Sequence, residues 1–291
     1  ILFIASIFIT QTQAAVMKQF PVDGYDYQPR VDTGMSKYRN RSLKNSKKLL
    51  LTFDDGPHNK NTPIVLDLLK EYNVKATFFV LTENINESNK YIINRIINEG
   101  HFLASHDHDH DNNNNESETT FKSELTKTIK AIEQYTDDLG FHQREMYYRF
   151  PYGAYGKHRL YHHMNVLKEV SQELYGENCI NFAFWDIDTS DWVSNMTPEN
   201  VSQNITANME GGTAYTFKMK TDSRGRSVWR KYAYTIRNPI GGGVVLMHDI
   251  HDRTVKAVKL ILENAVKKKW EIIPYNQVQG FDYTNKTCVL K

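Results

Sequence analysis

The chain has 291 residues, 40% of them hydrophobic, and its 36 Lys and Arg against 34 Asp and Glu leave a net charge of +2. This balance excludes a disordered or fibrous chain and gives no electrostatic reason to expect nucleic acid or another polyanion as partner. Seventeen Tyr, fourteen Phe and four Trp are enough for a sizeable core and an exposed binding surface as well.

Residues 1–15 open on the apolar run Ile1-Leu-Phe-Ile-Ala-Ser-Ile-Phe-Ile9 and end in small residues around Thr12, Ala14 and Ala15. The run is too short to span a bilayer and has the character of the end of an export signal, an ordinary buried segment being the plain alternative. Export to a periplasm or the extracellular space is expected, with no stable membrane span after signal cleavage. Residues 16–46, with Pro21, Gly24, Pro29 and Gly34 among polar residues, predict an extended lead-in to a single domain over 47–291.

A strand–helix alternation begins at Lys47. Residues 48–53 form a short apolar run of the kind a buried parallel strand needs. Thr62-Pro63 predicts a helix start, with Thr62 as cap, and Ile64, Val65, Leu68 and Leu69 share one helical face. A strand over 76–80, a helix over 91–99 and a strand over 101–105 follow. Phe121, Leu125, Ile129, Ile132 and Tyr135 recur at helical spacing. Further strands are expected over 146–150, 182–187 and 243–247, then a helix carrying Val255, Val258, Leu262 and Ala265, and a last strand over 270–273. Seven or eight such units point to an α/β fold, a closed or nearly closed (β/α) barrel.

One segment breaks the rhythm. Tyr215, Phe217 and Met219 alternate with polar residues, Asp222-Ser-Arg-Gly-Arg226 follows, and Val228, Tyr232, Tyr234 and Ile236 share another alternating face. A β-hairpin over about 211–238 is expected here. The two cysteines, Cys179 and Cys288, either pair to pin the C-terminal tail or stay isolated thiols; no Cys-x-x-Cys is present.

Polar residues gather where the predicted strands end. Thr52-Phe-Asp-Asp-Gly-Pro57 carries two adjacent carboxylates, which either divide cation binding and base work between them or form an exposed acidic turn. His106-Asp-His-Asp-His110 places imidazoles four apart, a usable zinc-type spacing, though His108 can replace either outer histidine and a solvated loop is the plain alternative. Arg149-Phe-Pro-Tyr-Gly153, Asp188-Thr-Ser-Asp-Trp192 and Leu246-Met-His248 close three further strands. In an α/β barrel such C-terminal strand ends meet at one mouth, where catalysis occurs.

In set and order these motifs resemble the polysaccharide deacetylases, the NodB-homology domain of carbohydrate esterase family four, over about 47–275. The resemblance implies a distorted (β/α) barrel of about seven strands. It also implies metal ligation by Asp55, His106 and His110, with Asp54 as catalytic base oriented by Arg149. His248 becomes the catalytic acid tuned by Asp191, Tyr152 offers its backbone N–H to the oxyanion, and Trp192 and Leu246 wall an acetyl pocket. Amide hydrolysis near neutral pH needs a nucleophile stronger than water, and one divalent metal, zinc by default, generates it.

Two positions depart from the family pattern: Asp107 replaces the usual Ser or Thr, and Asp111 the Pro that often follows the second histidine. Asp107 is expected to support a histidine or to face solvent. The hairpin is unexpected in a minimal member; it either overhangs the mouth, with Tyr215, Phe217, Trp229 or Tyr232 stacking on sugar, or packs on the barrel wall. The implied partner is an acetylated glycan polymer and the implied state a monomer. Removal of N-acetyl groups from N-acetylglucosamine of peptidoglycan is the first reading, with chitin, chitooligosaccharide or xylan deacetylation as alternatives. A non-catalytic glycan-binding module is the alternative of another class. A two-histidine, one-carboxylate iron oxygenase fits less well, because Asp55 lies beside a second carboxylate.

Overall fold

The computed structural model describes residues 41–140, 146–155, 162–177, 179–278 and 288–291. The expected export signal over 1–15 and most of the lead-in lie outside the described residues. No helix among the described residues is long and apolar enough to cross a membrane.

Strand β1 (Lys48–Asp54) is central: Leu49, Leu50, Leu51 and Phe53 are fully buried, as expected of a parallel strand covered on both faces. Around it run β2 (Thr77–Val80), β3 (Phe102–Ser105), β4 (Met146–Tyr148) and β5 (Ile180–Phe182) on one side. On the other side lie β9 (Gly243–His248) and then β6 (Ile187–Asp188), while β10 (Glu271–Ile272) pairs with the start of β1. All these pairings are parallel.

The stretch 182–187, expected as one strand, is two. β5 and β6 stand at opposite ends of the seven-strand path, joined by only 183–186. A flat sheet would separate those ends by six spacings, about 29 Å, whereas five residue steps reach about 17 Å. The sheet therefore curls, and the apolar linker Ala183-Phe184 seals the gap from inside; both residues are 1% exposed. The result is the distorted barrel the motifs implied.

Helices α1 (Asn61–Glu71), α2 (Lys90–Asn98), α3 (Glu118–Asp138) and α6 (Asp252–Lys268) lie where periodicity placed them. Helices α4 (His162–Tyr175) and α5 (Pro198–Glu210) were not anticipated. Val201, Ile205 and Met209 form the buried stripe of α5 at i, i+4 and i+8, and Thr197 caps it by accepting from the Asn200 N–H (3.2 Å). The Thr-Pro signal thus marks α5, not α1. Helix α1 starts at Asn61, two residues earlier than expected, and the His58 ring accepts from the Lys60 and Asn61 N–H groups (3.3 and 3.1 Å). Thr62 instead accepts from the His58 N–H (2.8 Å) and donates to buried Asp249.

The hairpin is present as β7 (Gly212–Thr221) and β8 (Ser227–Ile236), an antiparallel pair apart from the barrel sheet. Asn204 of α5 fixes its base, accepting from the Tyr215 N–H (2.7 Å) and donating to the Tyr215 carbonyl (3.0 Å). Cys179 and Cys288 are joined, tying the C-terminal residues to the chain just before β5.

Candidate active site

Register brings the chemistry together. Asp54 ends β1 directly opposite His248 at the end of β9, so two strand ends place a carboxylate and an imidazole side by side. Asp54 is 1% exposed and its Oδ1 receives Arg149 Nη1 at 2.7 Å. Arg149 is itself wholly buried. Its guanidinium also donates to Thr52 Oγ1 (2.7 Å) and to the Ala183 and Phe184 carbonyls (2.9 and 3.3 Å), and lies 3.9 Å over the Phe79 ring. Burial pulls the Arg149 pKa down against the pull of Asp54. A guanidinium with its donors so fully engaged holds one orientation, and so therefore does Asp54.

His248 has its own fixed partner. Its Nδ1 lies 2.8 Å from Asp191 Oδ1, while Asp191 Oδ2 accepts from the His248 backbone N–H (2.7 Å) and the Thr254 hydroxyl (2.6 Å). Burial would depress the imidazole, yet the charge and hydrogen bond of Asp191, helped by Asp55 and Asp54, push it up to about 10. Burial likewise opposes ionisation of Asp191, but His248 and Thr254 hold it below the usual carboxylate range.

Asp55, His106 and His110 lie between these pairs. Asp55 Oδ1 stands 3.3 Å from His106 Nε2 and 3.4 Å from His110 Nε2, and the three donor atoms fall within 4.8 Å of one another. His106 Nδ1 meets the Arg149 carbonyl at 2.7 Å, which assigns the proton to Nδ1 and leaves the Nε2 lone pair facing Asp55. Asp55 Oδ1 is buried without a hydrogen-bond partner. An orphaned carboxylate oxygen among imidazole lone pairs fits a cation of the zinc type. Burial works to raise Asp55, but the neighbouring His106, His248 and His110 outweigh it and hold its carboxyl well below the usual range. His108 is not part of the group: its ring meets Thr82 Oγ1 (2.9 Å) and Lys127 Nζ (2.8 Å) instead.

Holding these groups in place strains the backbone. Asp55, His110, Tyr152 and Ser190 all have positive φ (72°, 64°, 58° and 57°), a conformation non-glycine residues seldom adopt and functional sites collect. Gly56 is required beside them, because a Cβ there would meet the Asp249 carboxylate at 2.8 Å. A cavity of about 540 Å³ opens over the group, lined by Asp54, Asp55, His106, His110, Tyr152, Trp192, Leu246 and His248.

A family model for polysaccharide deacetylase matches residues 42–166, the segment that holds Asp54, Asp55, His106, His110, Arg149 and Tyr152. Residues 42–166 therefore carry a polysaccharide deacetylase domain. The chain is 31% identical over 81% of its length to the peptidoglycan-N-acetylglucosamine deacetylase PgdA of Listeria monocytogenes, although it spans only 40% of that relative. A peptidoglycan-N-acetylglucosamine deacetylase of Bacillus cereus is 27% identical over 94% of this chain and 86% of its own length. The fold is also that of a family 4 acetyl xylan esterase of Clostridium thermocellum solved in complex with a cobalt ion. That match has a TM-score of 0.56 and 23% identity, and covers 79% of this chain and 89% of the other.

Trp229 also lines the cavity, as do Phe150, Trp185 and Asp188, to which sequence reading assigned no part in it. Trp229 had been grouped with three other hairpin aromatics, and only the pairing register separates them. Tyr215 and Phe217 pack inward against the core, whereas Trp229, opposite Met219, meets Trp192 edge-to-face at 5.8 Å. Tyr232 is on the other face, beneath Lys218 and Lys220 (5.4 and 5.2 Å). The hairpin is therefore partly wall packing and partly cavity rim. Asp107 neither supports a histidine by a hydrogen bond nor faces solvent: it is buried and accepts from Asn113 Nδ2 (3.1 Å).

Proposed function

We propose that this protein is a metal-dependent hydrolase that removes the N-acetyl group from N-acetylglucosamine units of peptidoglycan. The observation that carries the reading is the pair of charge-fixed dyads, Asp54–Arg149 and His248–Asp191, facing one cavity with Asp55, His106 and His110 between them. When bound by those three residues, a divalent ion supplies Lewis acidity that makes water a stronger nucleophile at neutral pH; zinc is the ion this donor set favours.

The chain's own groups divide the remaining work. Asp54 takes the proton of the attacking water on Oδ2, the oxygen that Arg149 does not engage. Tyr152 offers its backbone N–H to the amide oxygen as charge develops there. His248, kept charged by Asp191, gives its Nε2 proton to the departing sugar amine as the C–N bond breaks, and acetate and the free amine leave. Trp192 and Leu246 bound the space for the acetyl methyl, both lining the cavity.

Two observations support the substrate class and location. Trp192 and Trp229 are 42% and 45% exposed at the rim, a surface on which sugar rings can lie. The Cys179–Cys288 bridge suits a protein exported to an oxidising compartment, as residues 1–15 suggested.

The test is acetate release from isolated peptidoglycan, N-acetylated chitin oligomers and acetylated xylan. It is run with and without chelator, with zinc restored, and with Asp54→Ala. Release from peptidoglycan that chelator abolishes, zinc restores and Asp54→Ala removes is expected. Faster release from chitin or xylan would move the substrate; glycan binding with no release from any would make the protein a binding module.

A further inference from the structure

The turn that carries His106 and His110 has a second side. Asp107 and Asp109 alternate with the histidines, and their carboxylates point not to the catalytic cavity but toward α3, where Glu124 joins them. One oxygen from each of Asp107, Asp109 and Glu124 falls within 4.8 Å of the others. Asp107 is 0% exposed, and its Oδ1 has no hydrogen-bond partner. Glu124 Oε2 and the neighbouring Glu116 Oε2 are likewise buried and unpartnered. Glu116 and Asp107 share the Asn113 amide, which donates to both at 3.1 Å.

No Lys or Arg among the described residues forms an ion pair with any of these four acids. The nearby Lys127 ammonium is engaged by the His108 ring at 2.8 Å. Burial, and then the charges of Asp107, Glu116, Asp109 and Asp111, push Glu124 up to about 7. Burying several carboxylates without a counter-charge is expensive, and either protons or a cation must answer it.

We propose that Asp107, Asp109 and Glu124, flanked by Glu116, form a second cation site for a hard divalent ion of the calcium type. The donors are all oxygen, whereas the catalytic group has two imidazoles, so the two sites differ in the ion they favour. The second ion ties the histidine-bearing turn to α3. The turn is also held through the Asp107 carbonyl, which accepts from the Thr82 N–H and the Thr128 hydroxyl at 3.2 Å each, through the His108 carbonyl, which accepts from the Glu83 N–H at 3.0 Å, and through the His108 ring. Asp107, at the family's usual Ser or Thr position, then has a use that does not touch the substrate.

The experiment loads the chelator-treated protein with one equivalent of zinc and titrates it with calcium chloride by calorimetry, alongside thermal unfolding. The wild type should bind one calcium ion per chain, with a dissociation constant of about 10⁻⁴–10⁻³ M, and melt several degrees higher in roughly 10 mM calcium. Glu124→Gln and Asp109→Asn should lose both effects. In chelator, Glu124→Gln should melt above the wild type, since it removes one of the repelling carboxylates; in calcium the order should reverse. No calcium-dependent rise in the wild type, or an equal rise in both variants, would overturn the site. Neither outcome bears on acetate release.

Discussion

Asp191→Asn isolates the electrostatics of the His248 dyad, because the substitution keeps shape and removes charge. The imidazole is held up at about 10 from an ordinary 6.5 chiefly by Asp191, against burial. With the charge gone burial prevails, and His248 falls to its ordinary value or below. At pH 7.5 the wild-type ring is almost wholly protonated, whereas at most about a tenth of the variant's rings are. That alone lowers kcat about tenfold. Loss of the Nδ1 acceptor (2.8 Å) also frees the ring to take the wrong tautomer, and the combined loss should be about 10²- to 10⁴-fold. A bound metal ion lowers both pKa values without reversing their order. The assay is acetate release from an acetylated oligosaccharide between about pH 5 and 11. The alkaline limb should move to lower pH by several units, with part of the loss recovered near pH 5.5. Stability gives a second readout with a definite sign. The raised His248 pKa stabilises the fold below about 6.5 and is lost as pH rises through about 10. The lowered Asp191 pKa stabilises above 3.8 and is lost as pH falls through its folded value. The melting-temperature gap between wild type and variant should therefore be widest between about pH 4 and 6.5, shrink as pH rises from there to about 10, and close at both extremes. An alkaline limb that stays where it was would refute the assignment of His248 as the tuned acid.

Arg149→Met should destabilise the fold by about 3–5 kcal/mol in urea unfolding, since it leaves Asp54 buried without its 2.7 Å partner; a loss under 1 kcal/mol would mean that Asp54 is held otherwise. Replacing Cys179 and Cys288 by Ala opens a loop with a sequence separation of 109, and chain entropy puts the loss at about 4–5 kcal/mol. Guanidinium unfolding of the oxidised and double-variant proteins measures it, and coincident curves would show that the bridge does not constrain the unfolded chain. Trp229→Ala should raise KM for polymer about fivefold, the worth of roughly 1 kcal/mol of aromatic contact, and leave turnover of a single acetylated sugar unchanged. An equal effect on both substrates would confine Trp229 to wall packing.

The elements that escaped sequence reading did so for definable reasons. The run 182–187 is apolar except for Asp186, and a mostly apolar run reads the same whether it is one strand or two short strands with a buried linker. Helix α4 has Val166, Leu167 and Val170 buried among polar residues, a stripe that weighed less than the stronger pattern of α3. Helix α5 carried a clear Thr-Pro start that was credited only to Thr62-Pro63, where the ring of His58 replaces the expected threonine cap. Asp249, which binds Thr62 and blocks any side chain at Gly56, has no motif of its own.

What the sequence by itself determined is the set of chemical groups and their strand-end positions: Asp54, Asp55, His106, His110, Arg149, Asp191 and His248. Strand ends are legible because a buried strand must be apolar and its polar residues can begin only where it stops. Tertiary structure decided which of these groups meet, since register and curling are relations between distant segments. Pairing set Asp54 opposite His248 and sent Trp229 to the cavity but Tyr232 away from it. The turn after β3 then gave two faces to one run of alternating acids and histidines. His106 and His110 face Asp55, while Asp107 and Asp109 face Glu124, in a turn where Asp107 and His110 take positive φ (85° and 64°).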